Sequence, residues 1–82
     1  MVDRRIPSRR PRVLKAGTIV FNNGGATISA TVKNVSESGA LLEVESVIGV
    51  PSQFTLVIKA NDFKRECRIV WRQARRIGVR FL

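Results

Sequence analysis

A strict alternation of apolar and polar side chains is the feature of this sequence that most limits its fold. It is cleanest in residues 27–33, where Ile28, Ala30 and Val32 alternate with threonine, serine and lysine. Successive side chains of a β-strand point to opposite faces, so this pattern predicts a strand with one buried face. A helix would need apolar residues at intervals of three and four, and no segment shows a convincing stripe of that kind.

The same character returns in five further short segments. Residues 16–21 are apolar and β-branched, and residues 22–25 (Asn-Asn-Gly-Gly) predict a hairpin turn after them. The predicted inward-facing sets of the later strands are Ala40, Leu42 and Val44, then Phe54, Leu56 and Ile58, then Cys67, Ile69 and Trp71, and finally Ile77, Val79 and Phe81. The residues between them, including Arg68, Val70, Arg72, Gly78 and Arg80, are predicted to face outward. Six short strands with turns between them predict an all-β antiparallel barrel or sandwich.

The size and composition exclude several classes of protein. A chain of 82 residues holds one small domain. It has no histidine and a single cysteine, Cys67, which excludes an internal disulfide and disfavours metal-dependent or hydrolytic chemistry. We therefore predict a binding protein and not an enzyme, without a metal or cofactor, and with Cys67 as a small buried hydrophobe. The arginine-rich N-terminus and the lack of a long apolar run predict a cytoplasmic protein without membrane insertion.

Positive charge is concentrated at the two ends of the chain. The formal net charge is +9. Residues 1–15 carry five arginines and one lysine against one aspartate, and residues 64–82 carry six arginines and one lysine against one glutamate. Arginine pairs bidentately with phosphate and with the guanine edge, so an anionic ligand is expected. A solvated basic surface that keeps a small domain in solution is the simpler alternative.

Two short motifs lie on either side of the predicted first hairpin. Residues 5–9 form an R-x-x-x-R in a stretch rich in arginine and proline, which predicts a flexible arm. Residues 34–39 form an N-x-S-x-x-G between two predicted strands. The short polar side chains of Asn34 and Ser36 can bind a ligand, but the same residues also favour an ordinary turn.

Together with these motifs, the rest of the chain resembles the PilZ domain family, the bacterial receptors for cyclic di-GMP. An arginine stretch leads into the first strand at 9–13, the N-x-S-x-x-G continues into residues 39–43, a hydrophobic strand ends at Trp71, and residues 77–81 (Ile-Gly-Val-Arg-Phe) close the chain. The resemblance implies a six-stranded antiparallel barrel of the split type over residues 13–82, preceded by an arginine-rich arm over residues 1–12. It also implies that the C-terminal helix of many members is missing here.

The resemblance further implies that cyclic di-GMP is bound between the arm and the barrel by Arg5, Arg9, Arg10, Asn34, Ser36 and Gly39. Arg5 and Arg9 have the family spacing, and a shifted register would place Arg10 or Arg12 in the second position. Binding would order the arm and so relay the signal to a protein partner, in the control of motility or of biofilm and exopolysaccharide. Trp71 is interpreted either as a core or rim aromatic or as a surface that stacks on guanine.

Two alternatives remain open from the sequence. The net charge also suits a small basic barrel that binds RNA or single-stranded nucleic acid, although aromatic residues are only 6% of the chain. The other alternative is a PilZ-like module that binds a protein and no nucleotide.

Overall fold

A computed structural model describes residues 15–82, which form six strands. Their bounds are β1 Lys15–Phe21, β2 Ala26–Val35, β3 Gly39–Glu43, β4 Gln53–Ile58, β5 Phe63–Gln73 and β6 Arg76–Phe81. A single 3-10 turn, Lys59–Asn61, connects β4 to β5. The predicted arm at 1–12, with Arg5, Arg9 and Arg10, lies outside the described residues.

The six strands form a closed antiparallel barrel in the order β1-β2-β3-β6-β5-β4. Strand β1 pairs with β2 along its whole length and also with β4 over residues 18–20, which completes the ring. The predicted six-stranded antiparallel barrel is therefore confirmed. The described part of the chain contains no helix long and apolar enough to cross a membrane.

The barrel interior is filled by the residues that alternate along the strands. Twelve apolar side chains are buried there: Ile19, Ala30, Val32, Leu42, Val44, Val50, Phe54, Leu56, Ile58, Cys67, Ile77 and Val79. Four more of the predicted inward-facing residues, Ile28, Ala40, Ile69 and Phe81, are partly buried against this core. Because cross-strand partners share a face, the period-two pattern of each strand is enough to identify most of the core.

Cys67 is buried in this core, as predicted. Burial raises the pKa of its thiol from the ordinary value of 9.0 to about 11, because the thiolate would lose its hydration inside the barrel. The Cys67 thiol donates a weak hydrogen bond of 3.6 Å to the carbonyl oxygen of Arg65.

Two β-bulges interrupt the strand pairing on the same side of the barrel. In the β2–β3 pair, Val32 lies opposite Leu42 and Asn34 lies opposite Leu41, so Lys33 is the extra residue. In the β5–β6 pair, the register shifts between Ile69 and Trp71, so Val70 is the extra residue. A bulge of one residue moves every later side chain of its strand to the opposite face.

The bulge at Val70 overturns the predicted facing of Trp71 and Arg72. Trp71 was expected to face inward with Cys67 and Ile69, but it lies opposite Gly78 on the outside and its side chain is 43% exposed. Arg72 was expected to face outward, but it pairs with the buried Ile77 on the inner face, although its side chain stays exposed. Both predictions were wrong because a regular alternation was extended through an irregular strand.

The guanidinium of Arg72 lies at the end of the barrel, beneath the connection between β3 and β4. Its Nη1 donates hydrogen bonds of 3.2 Å to the carbonyl oxygen of Val47 and 2.7 Å to that of Val50. Val50 in turn closes a tight turn by donating from its backbone N–H to the Val47 carbonyl oxygen at 3.3 Å. Arg72 therefore satisfies carbonyl groups of a loop that lacks strand partners.

Candidate ligand-binding groove

Four cross-strand partners form one row on the outside of the barrel. Asn34 pairs with Leu41, Leu41 with Gly78, and Gly78 with Trp71. Leu41 and Gly78 face outward in the regular alternation of β3 and β6. Without the bulges, the alternation of β2 and β5 would turn Asn34 and Trp71 inward. The two bulges thus bring an amide and an indole to the two ends of the same outer row.

This row crosses a concave surface of about 560 Å³, here called the outer groove. It is lined by Asn34, Val35, Ser36, Ser38, Gly39, Ala40, Leu41, Val70, Trp71, Gly78, Val79 and Arg80. Pockets for small ligands commonly measure about 300–1,000 Å³ and combine apolar walls with a few polar groups. The outer groove has this size and this mixture.

The indole of Trp71 covers the backbone of Gly78. A β-carbon on Gly78 would collide with the indole atoms Nε1, Cε2 and Cδ1, the last at 2.8 Å. Gly78 consequently faces outward and is nevertheless buried. Only glycine leaves room for the ring here, so β6 supplies a flat support that holds one face of the indole and leaves the other toward solvent.

The loop between β2 and β3 is held by the hydroxyl of Ser36. This oxygen accepts hydrogen bonds of 3.3 Å from the backbone N–H groups of Ser38 and Gly39. The backbone N–H of Ser36 donates to the Gly39 carbonyl oxygen at 2.8 Å. Ser36 is exposed, so its hydroxyl can both shape the turn and meet a ligand.

Gly39 is required by the packing of β3 against β6. A β-carbon on Gly39 would collide with the carbonyl oxygen of Val79 and lie 3.2 Å from its carbonyl carbon. Because these are backbone atoms of a paired strand, they cannot move aside easily. The final glycine of the N-x-S-x-x-G segment therefore permits a close strand approach, and this requirement exists without any ligand.

Charge distinguishes the outer groove from the larger concavity of the barrel. The outer groove has Arg80 and, among the described residues, no acidic side chain in its lining. A second concavity of about 1,040 Å³ is lined by Glu43, Glu45 and Arg75 among others, and is the less suitable of the two for an anion. Within residues 15–82, no group of three His, Cys, Asp or Glu side chains is placed to hold a metal ion.

The start of β1 lies beside the end of β2. Lys15 is the cross-strand partner of Val32, two positions before Asn34 on β2. Lys15 is therefore next to the end of β2 that leads into the loop carrying Ser36.

Three of the six predicted site residues, Asn34, Ser36 and Gly39, are brought together in the outer groove. Their contact with a ligand stays a prediction, and Arg5, Arg9 and Arg10 lie outside the described residues. The groove also contains Arg80, which sequence reasoning placed on the outer face without assigning it to the site. Its place opposite Gly39 follows from the β3–β6 register, which no local pattern indicates.

Comparison with known families decides the classification of this barrel. The family model of the PilZ domain matches residues 4–82, nearly the whole chain. The chain belongs to the PilZ domain family. The match confirms the resemblance drawn from the motifs of this PilZ domain. The family is one of receptor domains for cyclic di-GMP. No curated protein matches the chain.

Proposed function

We propose that this PilZ domain binds cyclic di-GMP in the outer groove, beneath the arginines of its N-terminal arm. The observation that carries the proposal is that Asn34, Ser36 and Gly39 line one groove with the exposed indole of Trp71. The protein acts as a receptor without catalysis in the bacterial cytoplasm, and it needs no cofactor besides this ligand.

The chemistry of the groove suits the chemistry of this ligand. Cyclic di-GMP carries two guanines, two phosphate charges and several polar groups on its sugars. The open face of Trp71 offers a stacking surface for a base, and stacking on an aromatic side chain is worth about 1–3 kcal/mol per base. Asn34 and Ser36, at the opposite side, offer hydrogen-bonding groups to the polar edge of the ligand.

The arm supplies the remaining contacts in this proposal. Arg5 and Arg9, or Arg10 in a shifted register, pair with the N7 and O6 acceptors of guanine and with phosphate. The pairing of Lys15 with Val32, two positions before Asn34 on β2, supports this arrangement, because the arm precedes Lys15 in the chain. Closure of the arm over the ligand changes the surface seen by a protein partner, which is how we propose that the signal passes to motility or to biofilm and exopolysaccharide control.

Calorimetric titration with cyclic di-GMP tests the proposal directly. We expect saturable binding by the full chain and a loss of about tenfold or more in affinity for Arg9→Ala and for Asn34→Ala, because each removes contacts to the ligand. Arg76→Ala is the matched control. Arg76 lies on β6 opposite Glu43 of β3, and it does not line the outer groove. Equal affinity of Arg9→Ala and the parent would contradict the role of the arm.

Binding of single-stranded nucleic acid is the second candidate, because an exposed tryptophan lies on a domain with a net charge of +9. A titration with a short RNA at several salt concentrations separates the two functions. RNA affinity should fall steeply with salt because many phosphates release counterions, whereas a dianionic dinucleotide in a groove should depend on salt much less. Tight RNA binding without cyclic di-GMP binding would favour this second candidate, and binding of neither would favour a module that interacts only with protein.

A further inference from the structure

Two arginines lie directly opposite each other beside the outer groove. Arg68 on β5 and Arg80 on β6 are cross-strand partners, and both are exposed. Side chains of such partners lie on one face with β-carbons about 4.5–5.5 Å apart, and like charges in this position repel each other. The strand register therefore places two positively charged side chains on one outer face, and of the two Arg80 lines the outer groove.

Within residues 15–82, no carboxylate forms an ion pair with either guanidinium. The ion pair in this part of the chain joins Lys33 to Glu43 at 3.4 Å. Arg68 donates a hydrogen bond of 3.5 Å only to the neutral Oε1 of Gln53. By contrast, Arg76, which lies on β6 with Arg80, has the acidic Glu43 as its cross-strand partner. Within residues 15–82 the Arg68–Arg80 pair therefore has no ion-paired counter-charge, and a bound anion can supply one.

The position of this pair relative to the groove indicates which ligand group could supply the counter-charge. Arg80 lines the outer groove and is the cross-strand partner of Gly39 on its other side. It lies two residues along β6 from Gly78, the support of the Trp71 indole, which is a distance of about 6.5–7 Å. That distance is comparable to the separation of a base from its own phosphate in a nucleotide. A base stacked on Trp71 would therefore have its phosphate within the reach of the long Arg80 side chain.

We propose that Arg68 and Arg80 together form a phosphodiester-binding subsite on the barrel itself, separate from the arginines of the arm. The identity of the phosphodiester, that of cyclic di-GMP, rests on the proposed function above. Two planar guanidinium groups can donate several parallel hydrogen bonds to one phosphate, and the phosphate removes the repulsion between them. The arm then needs to neutralise only the second phosphate.

Calorimetry on the full chain with Arg68→Gln and Arg80→Gln tests the subsite. We expect each variant to bind cyclic di-GMP about tenfold or more weakly than the parent, because each removes charge-assisted hydrogen bonds. Arg76→Gln makes the same change of charge on β6, the strand of Arg80, and should bind cyclic di-GMP within about twofold of the parent. The midpoint of thermal unfolding without ligand should not fall in the two subsite variants, since each relieves a like-charge pair, and this separates loss of binding from loss of fold.

The phosphorus NMR spectrum of the bound nucleotide supplies a second measurement. We expect two distinct resonances in the parent complex and a shift of one of them in Arg80→Gln. Inorganic phosphate at the same concentration should not compete, because the subsite is formed for a phosphate delivered by a stacked base. Parent-like affinity and spectra in both variants would overturn the subsite and leave the proposed function intact. Failure of the parent to bind cyclic di-GMP would overturn the proposed function and the subsite with it, so the two failures are distinguishable.

Discussion

Trp71 and Gly78 are cross-strand partners in which the indole of one replaces the missing side chain of the other. The relationship depends on the bulge at Val70, which turns Trp71 outward just where β6 has no β-carbon. It sets the aromatic wall of the outer groove at a defined position opposite Asn34.

Gly78→Ala should move the indole without unfolding the barrel. The new methyl group would collide with the Trp71 ring, which is a side chain at the surface and can rotate away. We expect a changed tryptophan fluorescence spectrum, little change in the free energy of unfolding, and about tenfold weaker binding of cyclic di-GMP. The control is the same change in a Trp71→Ala background, where it should have almost no further effect on binding. An equal additional loss in that background would mean that Gly78 acts independently of Trp71.

Gly39→Ala should instead destabilise the fold itself. Its new methyl group would meet the Val79 carbonyl, which belongs to the paired backbone of β6. We expect a loss of about 1–3 kcal/mol in the free energy of unfolding, measured by urea denaturation without ligand. Ser36→Ala, in the same loop, should lose only about 0.5–1.5 kcal/mol because its hydrogen bonds are weak and exposed. A fully stable Gly39→Ala protein would show that β3 and β6 can separate more easily than the structure indicates.

Arg72→Gln should loosen the connection between β3 and β4. The substitution removes charged donors to the carbonyl oxygens of Val47 and Val50. We expect about 1–3 kcal/mol of destabilisation and faster hydrogen exchange in residues 47–50. Arg75→Gln provides a control, because the hydrogen bond of Arg75 to this connection is made by its backbone carbonyl oxygen, which accepts from the Val44 N–H at 2.8 Å and is kept in the variant. Unchanged exchange in Arg72→Gln would show that the loop does not depend on the guanidinium.

Cys67 should make the stability of the barrel depend on pH in the alkaline range. In the unfolded chain the thiol loses its proton near pH 9.0, whereas burial keeps it protonated in the folded protein up to about pH 11. Deprotonation therefore favours the unfolded chain, so stability should be fully present below pH 9.0 and fall as the pH rises toward about 11. The measurement is urea denaturation across this range.

Cys67→Ala is the control for this pH dependence, because lysines also titrate at alkaline pH. The difference in unfolding free energy between the parent and Cys67→Ala should shrink as the pH rises through this window. A constant difference would mean that the thiol does not carry the effect. In the native protein at neutral pH, the buried thiol should also react slowly with thiol reagents.

Most of the barrel could be predicted because its strands are regular. Where apolar residues alternate without interruption, as in residues 54–58, every inward side chain is identified correctly from the sequence. The Asn22–Gly25 turn is equally local, since its residues adopt or tolerate positive φ angles, and Asn22 and Asn23 do so at 54°. Such features depend on neighbours in the chain and need no knowledge of the partner strand.

Only part of the candidate site could be predicted from the sequence in this way. The N-x-S-x-x-G segment indicated Asn34, Ser36 and Gly39, but it could not reveal that Gly39 is needed by strand packing or that Trp71 lies across the groove. A bulge is a property of a pair of strands, because the extra residue is extra only relative to the partner. Val70 looks like any other β-branched strand residue until β6 is aligned beside it.

The amino-acid sequence alone determined that this chain forms an all-β domain of the PilZ family, since periodicity and motifs are written along the chain. Only the tertiary structure decided which side chains share the outer surface: Asn34 and Trp71 at the two ends of one row, and Arg68 opposite Arg80 beside it. The physical reason is that strand register and bulges are set by cross-strand hydrogen bonding and core packing. These bring together residues that are far apart in sequence, and a shift of one position exchanges the inner and outer faces.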